Sequence, residues 1–324
     1  MKTNILGQTN LSVSCIGLGT MNFGALCDER ESHRILNAFT SAGGNLIDTA
    51  NVYSLQMKES PHFHSRGSSE QFIGSWLKVT KKRNQIILAT KVGMEMNDAY
   101  PGLSGKAIKF QVEQSLKRLQ TDYIDLYQAH CDSTSESLFE TVQAFNDLKK
   151  EGKIRHFGCS NYSGSRLAES FQVARDHNLL PYSTTQSAYS LLRRIHVEQE
   201  ILPSAQKAQM GIIAYKALGG GFLTGKYRPD SPIPDSPNSD VIVRRAFNEP
   251  SLKLVKTLEQ IATPKEASVA QVTLAWYLNQ SFLSSVLVGA RSAEQLEQLL
   301  KANTVPLSQV EIERIDIASK LCQP

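Results

Sequence analysis

YIDLYQAHCDSTSESLFETVQAFNDLKKEGKIRHFGC, residues 123–159, reads as one strand–helix–strand unit. Its first part, 123–128, is a short apolar and aromatic run of the kind that forms a buried strand. Leu138, Val142, Phe145 and Leu148 then recur every three or four positions, which puts them on one face of a helix. Ser133 and Glu136 fit a capping box ahead of that helix, and Gly152 fits its C-terminal stop. Residues 155–159 read as a second strand. Two strands joined by a crossover helix are parallel neighbours in one sheet.

The same alternation continues in both directions. Further strands are predicted at 14–18, 45–49, 85–90, 184–187, 211–215 and 285–289, which with the first two makes eight. Between them lie helical patterns such as 106–119, where Ile108, Val112, Leu116 and Leu119 form the apolar stripe. Eight strands with crossovers is the count of a (β/α)8 TIM barrel; a doubly wound open sheet gives a similar string, and both stay open on alternation alone. Barrels routinely exceed the usual length of one domain as single units, running from roughly 200 to over 400 residues, so residues 1–324 are expected to form one barrel domain. Three segments fall outside the repeat. The residues before Ser14, turning over Gly7 to Asn10, predict a β-hairpin closing the barrel's bottom. Residues 227–243, YRPDSPIPDSPNSDVIV, predict a long irregular loop after the seventh strand. Residues 307–321 predict an extra C-terminal helix.

Composition narrows the function classes. Hydrophobic residues at 41% and charged residues at 20% are ordinary for a globular protein. A formal net charge of +4, with no Lys/Arg block interleaved with aromatics, argues against a nucleic-acid partner; a few cations gripping a phosphorylated cofactor account for the excess. The opening MKTNILGQTN lacks the apolar core of a signal peptide, and no run of about 18 apolar residues suits a membrane span. Cys15, Cys27, Cys131, Cys159 and Cys322 show no metal-finger spacing, and an odd scattered count fits reduced thiols in a cytoplasmic setting. His62 and His64 make an H-x-H pair without further ligands nearby, so no metal is expected.

In a barrel the chemistry sits where strands end at the C-terminal face. The polar residues there are Asp48 and Tyr53 after strand two, Lys91 after strand three and His130 after strand four. Ser160 and Asn161 follow strand five, Gln186 lies in strand six, and Tyr215 ends strand seven. Singly each has a plain reading: an Asp is often a helix cap, a strand-end Lys or His is often solvated, and a Tyr often only packs. Four at successive strand ends are better explained by one shared site. A phenol titrates near 10, too high for a good acid at neutral pH; a lysine ammonium beside it is expected to lower that value, and a carboxylate fixes the ammonium. A neutral histidine beside the phenol orients a carbonyl oxygen. Such a set donates a proton to an oxygen.

The segments that carry these residues resemble those of the aldo-keto reductase family, in the same order along nearly the whole chain. They are GLGTMNFG (17–24), IDTANVY (47–53), GSSEQFIG (67–74), LATKVG (88–93), SLKRLQTDYIDLYQAH (115–130), GKIRHFGCSN (152–161), AYKALGGGFLTGKY (214–227) and VGARSAEQLE (288–297). The resemblance implies reduction of aldehydes or ketones with NADPH, giving NADP+ and an alcohol. Tyr53 would be the proton donor, tuned by Lys91 and Asp48, and His130 would position the substrate carbonyl. It also implies a cofactor site in which Ser160, Asn161 and Gln186 hold the nicotinamide carboxamide and Tyr215 stacks on the ring. Gly19, Thr20, Met21 and Asp48 would line that site. Lys216, Leu218, Gly220, Leu223 and Lys226 would wrap the pyrophosphate, and Gly289, Arg291 and Gln295 would seat the adenosine 2′-phosphate at a helix start.

Three positions depart from the family's pattern. Lys216 and Ala217 stand where Ser-Pro is common, Leu299 stands where an adenine-contacting Asn is common, and the segment from Ser54 to Arg66 is longer than the usual turn. The resemblance leaves rivals: an NAD-dependent sugar dehydrogenase, a cofactor-bound regulatory subunit like those of potassium channels, and, with little sequence support, a phosphate-sugar isomerase or lyase barrel.

Overall fold

A computed structural model describes residues 1–54, 65–96, 100–234 and 239–322. The loop that carries His62 and His64 lies outside the described residues, as does part of the predicted Pro/Ser loop. Two short strands, β1 (Thr3–Ile5) and β2 (Ser12–Ser14), pair antiparallel. Eight more follow: β3 (Ile16–Gly19), β4 (Leu46–Asp48), β5 (Ile87–Val92), β6 (Ile124–Ala129), β7 (Ile154–Ser160), β8 (Thr184–Ala188), β9 (Gly211–Tyr215) and β10 (Leu283–Val288). They pair in parallel in chain order, and β10 closes on β3. The closed ring decides for the (β/α)8 barrel over the open sheet.

Each sequence-predicted strand coincides with one of these eight to within about two residues, because short apolar runs bounded by turn residues leave little freedom of assignment. The hairpin has a packing reason. Leu6, Leu11 and Val13 are buried against Leu46, Ile87, Ala89, Leu126, Ile213 and Leu287, so they seal the barrel floor with a second apolar cluster. Each such side chain contributes roughly 1.5–3 kcal/mol on burial.

The outer layer comprises α1 (Glu29–Ser41), α2 (Ser68–Thr80), α3 (Gly105–Leu119), α4 (Leu138–Lys150), α5 (Gly164–Asp176) and α6 (Leu202–Lys207). It continues with α7 (Ser239–Ala246), α8 (Glu249–Ala262), α9 (Val269–Leu278), α10 (Ala293–Leu300) and the extra terminal helix α11 (Gln309–Lys320). In α3 the residues Ile108, Val112 and Leu119 are buried as the stripe requires. Helix α9, VAQVTLAWYL, is apolar all round and buried along nearly its whole length. It abuts β10 on one side and α8 on another, and α8 in turn meets α11.

Two local readings need correction. The N-cap of α4 is Ser137, not Ser133; Ser133 instead donates to the Glu136 side chain just ahead of the helix, and no capping box forms. Gly152 does stop α4, with φ of 75°. The predicted loop 227–243 is interrupted by α7, whose Ile242 and Ala246 turn inward one turn apart while Arg244 and Arg245 occupy its last turn.

Candidate active site

The parallel barrel brings every strand end to one mouth, and the sequence-predicted residues meet there. Lys91 is fully buried, and its ammonium makes three bonds: to Asp48 Oδ2 at 2.6 Å, to the Thr49 carbonyl at 2.8 Å and to the Tyr53 hydroxyl at 3.1 Å. The ring of Tyr53 stands edge-on to that of His130, with centroids 5.8 Å apart. Asp48 Oδ1, on the other side of the carboxylate, accepts from the Gln186 amide at 2.8 Å and from the Gln128 amide at 3.3 Å. A chain of contacts thus runs from two neutral amides through a carboxylate and an ammonium to a phenol.

The electrostatics differ from expectation at the phenol. Burial raises the Tyr53 pKa above its ordinary value; Lys91 pulls it down and Asp48 pushes it up, and the net direction is upward. The hydroxyl is therefore held protonated, which is the state an acid needs before it acts. Burial works to discharge Lys91, yet Asp48 and Tyr53 outweigh it and keep the ammonium charged. Burial, then the Lys91 charge, lowers the His130 pKa to about 3, so the imidazole is neutral at physiological pH. Its Nδ1 is buried with no hydrogen-bond partner among the described residues. A neutral ring beside the phenol can orient a carbonyl oxygen without competing for its proton.

The residues expected to hold a nicotinamide line the adjoining wall. Ser160 Oγ donates to the Gln186 carbonyl at 3.0 Å. Asn161, left-handed with φ of 61°, donates from Nδ2 to the His130 carbonyl at 2.9 Å and accepts from the Tyr215 hydroxyl at 2.6 Å, which pins the Tyr215 ring at the mouth. Beyond Tyr215 come Lys216, exposed and also left-handed, and a turn in which Gly219, Gly220 and Gly221 all have positive φ. Only glycine accepts three such residues in succession at low cost, and the turn bares main chain toward Lys226, whose side chain lies close to Gly221. Leu218 flanks this turn, half-buried. Leu223 is fully buried and offers only its backbone. Across the mouth, the Gly19 carbonyl adjoins Gly289, buried Thr20 and exposed Met21 follow it in the chain, and Asn22 ties the two loops by donating to the Ala290 carbonyl at 3.0 Å. The donor set fits a nicotinamide dinucleotide: neutral amides and hydroxyls at the deep end, lysines along the glycine turn.

The start of α10 is more occupied than the sequence implied. Ser292 caps it by accepting from the Gln295 N–H, the Gln295 side chain accepts from the Arg291 N–H at 2.7 Å, and Glu31 of α1 accepts from the Ala293 N–H at 2.8 Å. Arg291 itself is exposed. Leu299, in place of a family Asn, is buried in the stripe of α10.

Sequence reasoning gave no role to Gln128, Ser69, Thr49, Tyr277 or Glu31, and none to the buried hydroxyl contacts that Thr20, expected only to line the cofactor site, makes. Gln128 binds Asp48; Thr20, Ser69 and Thr49 share buried hydroxyl contacts of 2.8 and 2.9 Å behind it; Tyr277 donates to the Tyr189 and Ala217 carbonyls at 3.1 Å, holding two mouth loops; Glu31 reaches α10. Each contact joins residues far apart in sequence, so only Gln128, two positions before His130, carried any local signal.

Among the described residues no group of three or more His, Cys, Asp or Glu side chains is disposed to hold a metal ion, and no helix is long and apolar enough to cross a membrane. Comparison with known proteins places a match to the Aldo/keto reductase family over residues 15–320. The uncharacterized oxidoreductase YrpG of Bacillus subtilis (strain 168) is 34% identical over 316 residues, covering 95% of this chain and 92% of that one. Norsolorinic acid reductase B of Dothistroma septosporum is 33% identical, covering 95% and 79%. Protein tas of Escherichia coli (strain K12) is 32% identical, covering 98% and 97%.

Proposed function

The chain belongs to the aldo/keto reductase family, a family of oxidoreductases acting on carbonyl groups, and from that premise we propose that it reduces aldehydes or ketones to alcohols with NADPH, using Tyr53 as the general acid. The observation that carries this reading is the Lys91 ammonium bonded at once to Asp48 at 2.6 Å and to Tyr53 at 3.1 Å. When bound, the dihydronicotinamide supplies hydride to the carbonyl carbon. Tyr53 supplies the proton to the carbonyl oxygen, and Lys91 stabilises the phenolate left behind. Neutral His130 holds the oxygen near the phenol. Gln186, with its amide N–H committed to Asp48, keeps its Oε1 as an acceptor for a carboxamide N–H. Ser160 and Asn161 would extend that contact, Tyr215 would pack on the ring, and Lys216 and Lys226 would hold the pyrophosphate. NADPH consumption with nitrobenzaldehyde or methylglyoxal tests the reading; background rates across a panel of aldehydes, ketoses and sugar alcohols in both directions would overturn it.

One observation favours a second reading, an NAD-dependent dehydrogenase of sugars on the same scaffold. The Glu31 carboxylate already sits at the α10 N-terminus, where a 2′-phosphate would bind, and two anions there repel. Arg291 decides between the two. If it reads the phosphate, Arg291→Ala raises the NADPH dissociation constant about ten- to a hundredfold, the worth of one charge-assisted hydrogen bond, and leaves NADH nearly unchanged. Fluorescence titration with both cofactors measures this. Equal weakening of both, or a wild-type preference for NADH, moves the assignment to the dehydrogenase.

A further inference from the structure

Gln128 is fully buried in β6, opposite Lys91 in the strand register, and its two amide ends are treated unequally. Nε2 donates to Asp48 Oδ1 at 3.3 Å, while Oε1 is buried with no hydrogen-bond partner among the described residues. Turning the amide over would set Oε1 against the carboxylate, so the donor must face Asp48. An unmet buried acceptor is destabilising, and an apolar side chain of the same volume would remove it at no loss of packing. Stability therefore does not account for a glutamine here. Its one evident service is to Asp48.

We propose that Gln128 is a positioning residue for proton donation: with Gln186 it occupies Asp48 Oδ1, so that only Oδ2 remains for Lys91 and the ammonium stays within reach of the Tyr53 hydroxyl. Without Gln128 only Gln186 is left on Oδ1, so the carboxylate turns more readily and draws the ammonium toward both oxygens, away from the phenol. Less positive charge then lies beside Tyr53, and its proton is held more tightly. The inference rests on Tyr53 being the acid, and the test separates the two.

Gln128→Met removes the amide at similar volume. In the cofactor-free protein Tm stays equal or rises, because the unmet acceptor has gone. NADPH affinity stays within about twofold. The single-turnover rate of bound NADPH oxidation by excess aldehyde falls about tenfold, the low end for a hydrogen bond to a charged group, as its 3.3 Å length suggests. The alkaline limb of the pH–rate profile moves to higher pH. Gln128→Glu supplies an O–H donor only while its carboxyl is protonated, so it restores the rate at low pH and loses it as pH rises. A wild-type rate and profile in Gln128→Met overturns the inference, as does a rate loss that merely tracks a fall in Tm. If Tyr53→Phe is inactive in the same assay, such a result removes Gln128 alone; if Tyr53→Phe is active, the acid assignment itself has failed.

Discussion

Tyr53→Phe is expected to cut carbonyl reduction by about 10²–10⁴-fold while leaving NADPH binding nearly intact, the range for loss of a positioned acid. The hydroxyl meets Lys91 at 3.1 Å and the residue as a whole is half-buried at the mouth, so removal of the hydroxyl deletes the proton source without opening the core. Steady-state turnover together with a cofactor titration measures both quantities. Retention of more than about a third of normal turnover would remove Tyr53 from the role, since no such acid contributes so little.

Lys91→Met should lose activity by a similar factor for a different reason. The acid remains, but the charge that opposes its burial is gone, so the phenol's pKa, already raised, moves further up. The acid form of Tyr53 is the active one, so the rate falls as pH rises through that pKa. Raising it shifts the alkaline limb to higher pH and lowers the plateau beneath it. The substitution also leaves the Asp48 carboxylate buried without its cation, and breaking a buried pair costs about 3–5 kcal/mol. The two amides on Oδ1 soften that loss, and chemical denaturation reads what remains. An unchanged pH profile at normal rate would dissolve the pairing.

The barrel was legible because its strands are short apolar runs set between amphipathic helices, a pattern that survives errors of a residue or two. Asp48, Lys91 and His130 were legible because a polar residue at the end of an apolar strand stands out, and Tyr53 because it follows Asp48 by only five positions. The capping box failed by one turn because Ser133 and Ser137 precede the same apolar stripe, and only backbone geometry chooses between them. Helix α7 was hidden by the Pro-rich residues before it, although Asp240 in its first turn and Arg244 and Arg245 in its last are the charge signature of a helix. The direction of the Tyr53 shift could not be read at all. It depends on how deeply the phenol is withdrawn from water, which is weighed against a neighbouring ammonium only in three dimensions. The crowding of the α10 start by Glu31 has the same character, since 262 positions separate the partners.

The floor of the barrel bears on how the chain is made. Leu6, Leu11 and Val13 have Ile213 and Leu287 among their partners, so the hairpin leaves the ribosome long before the strands it packs on. At about 5–20 residues per second that interval is roughly 15–55 s. A hairpin with three-residue strands has little stability alone, so its leucines stay solvent-accessible throughout. Ring closure between β3 and β10 must wait equally long. Nascent chains arrested before residue 283 should therefore be sensitive to protease within residues 1–14, and to chaperone capture, in a way that the released protein is not.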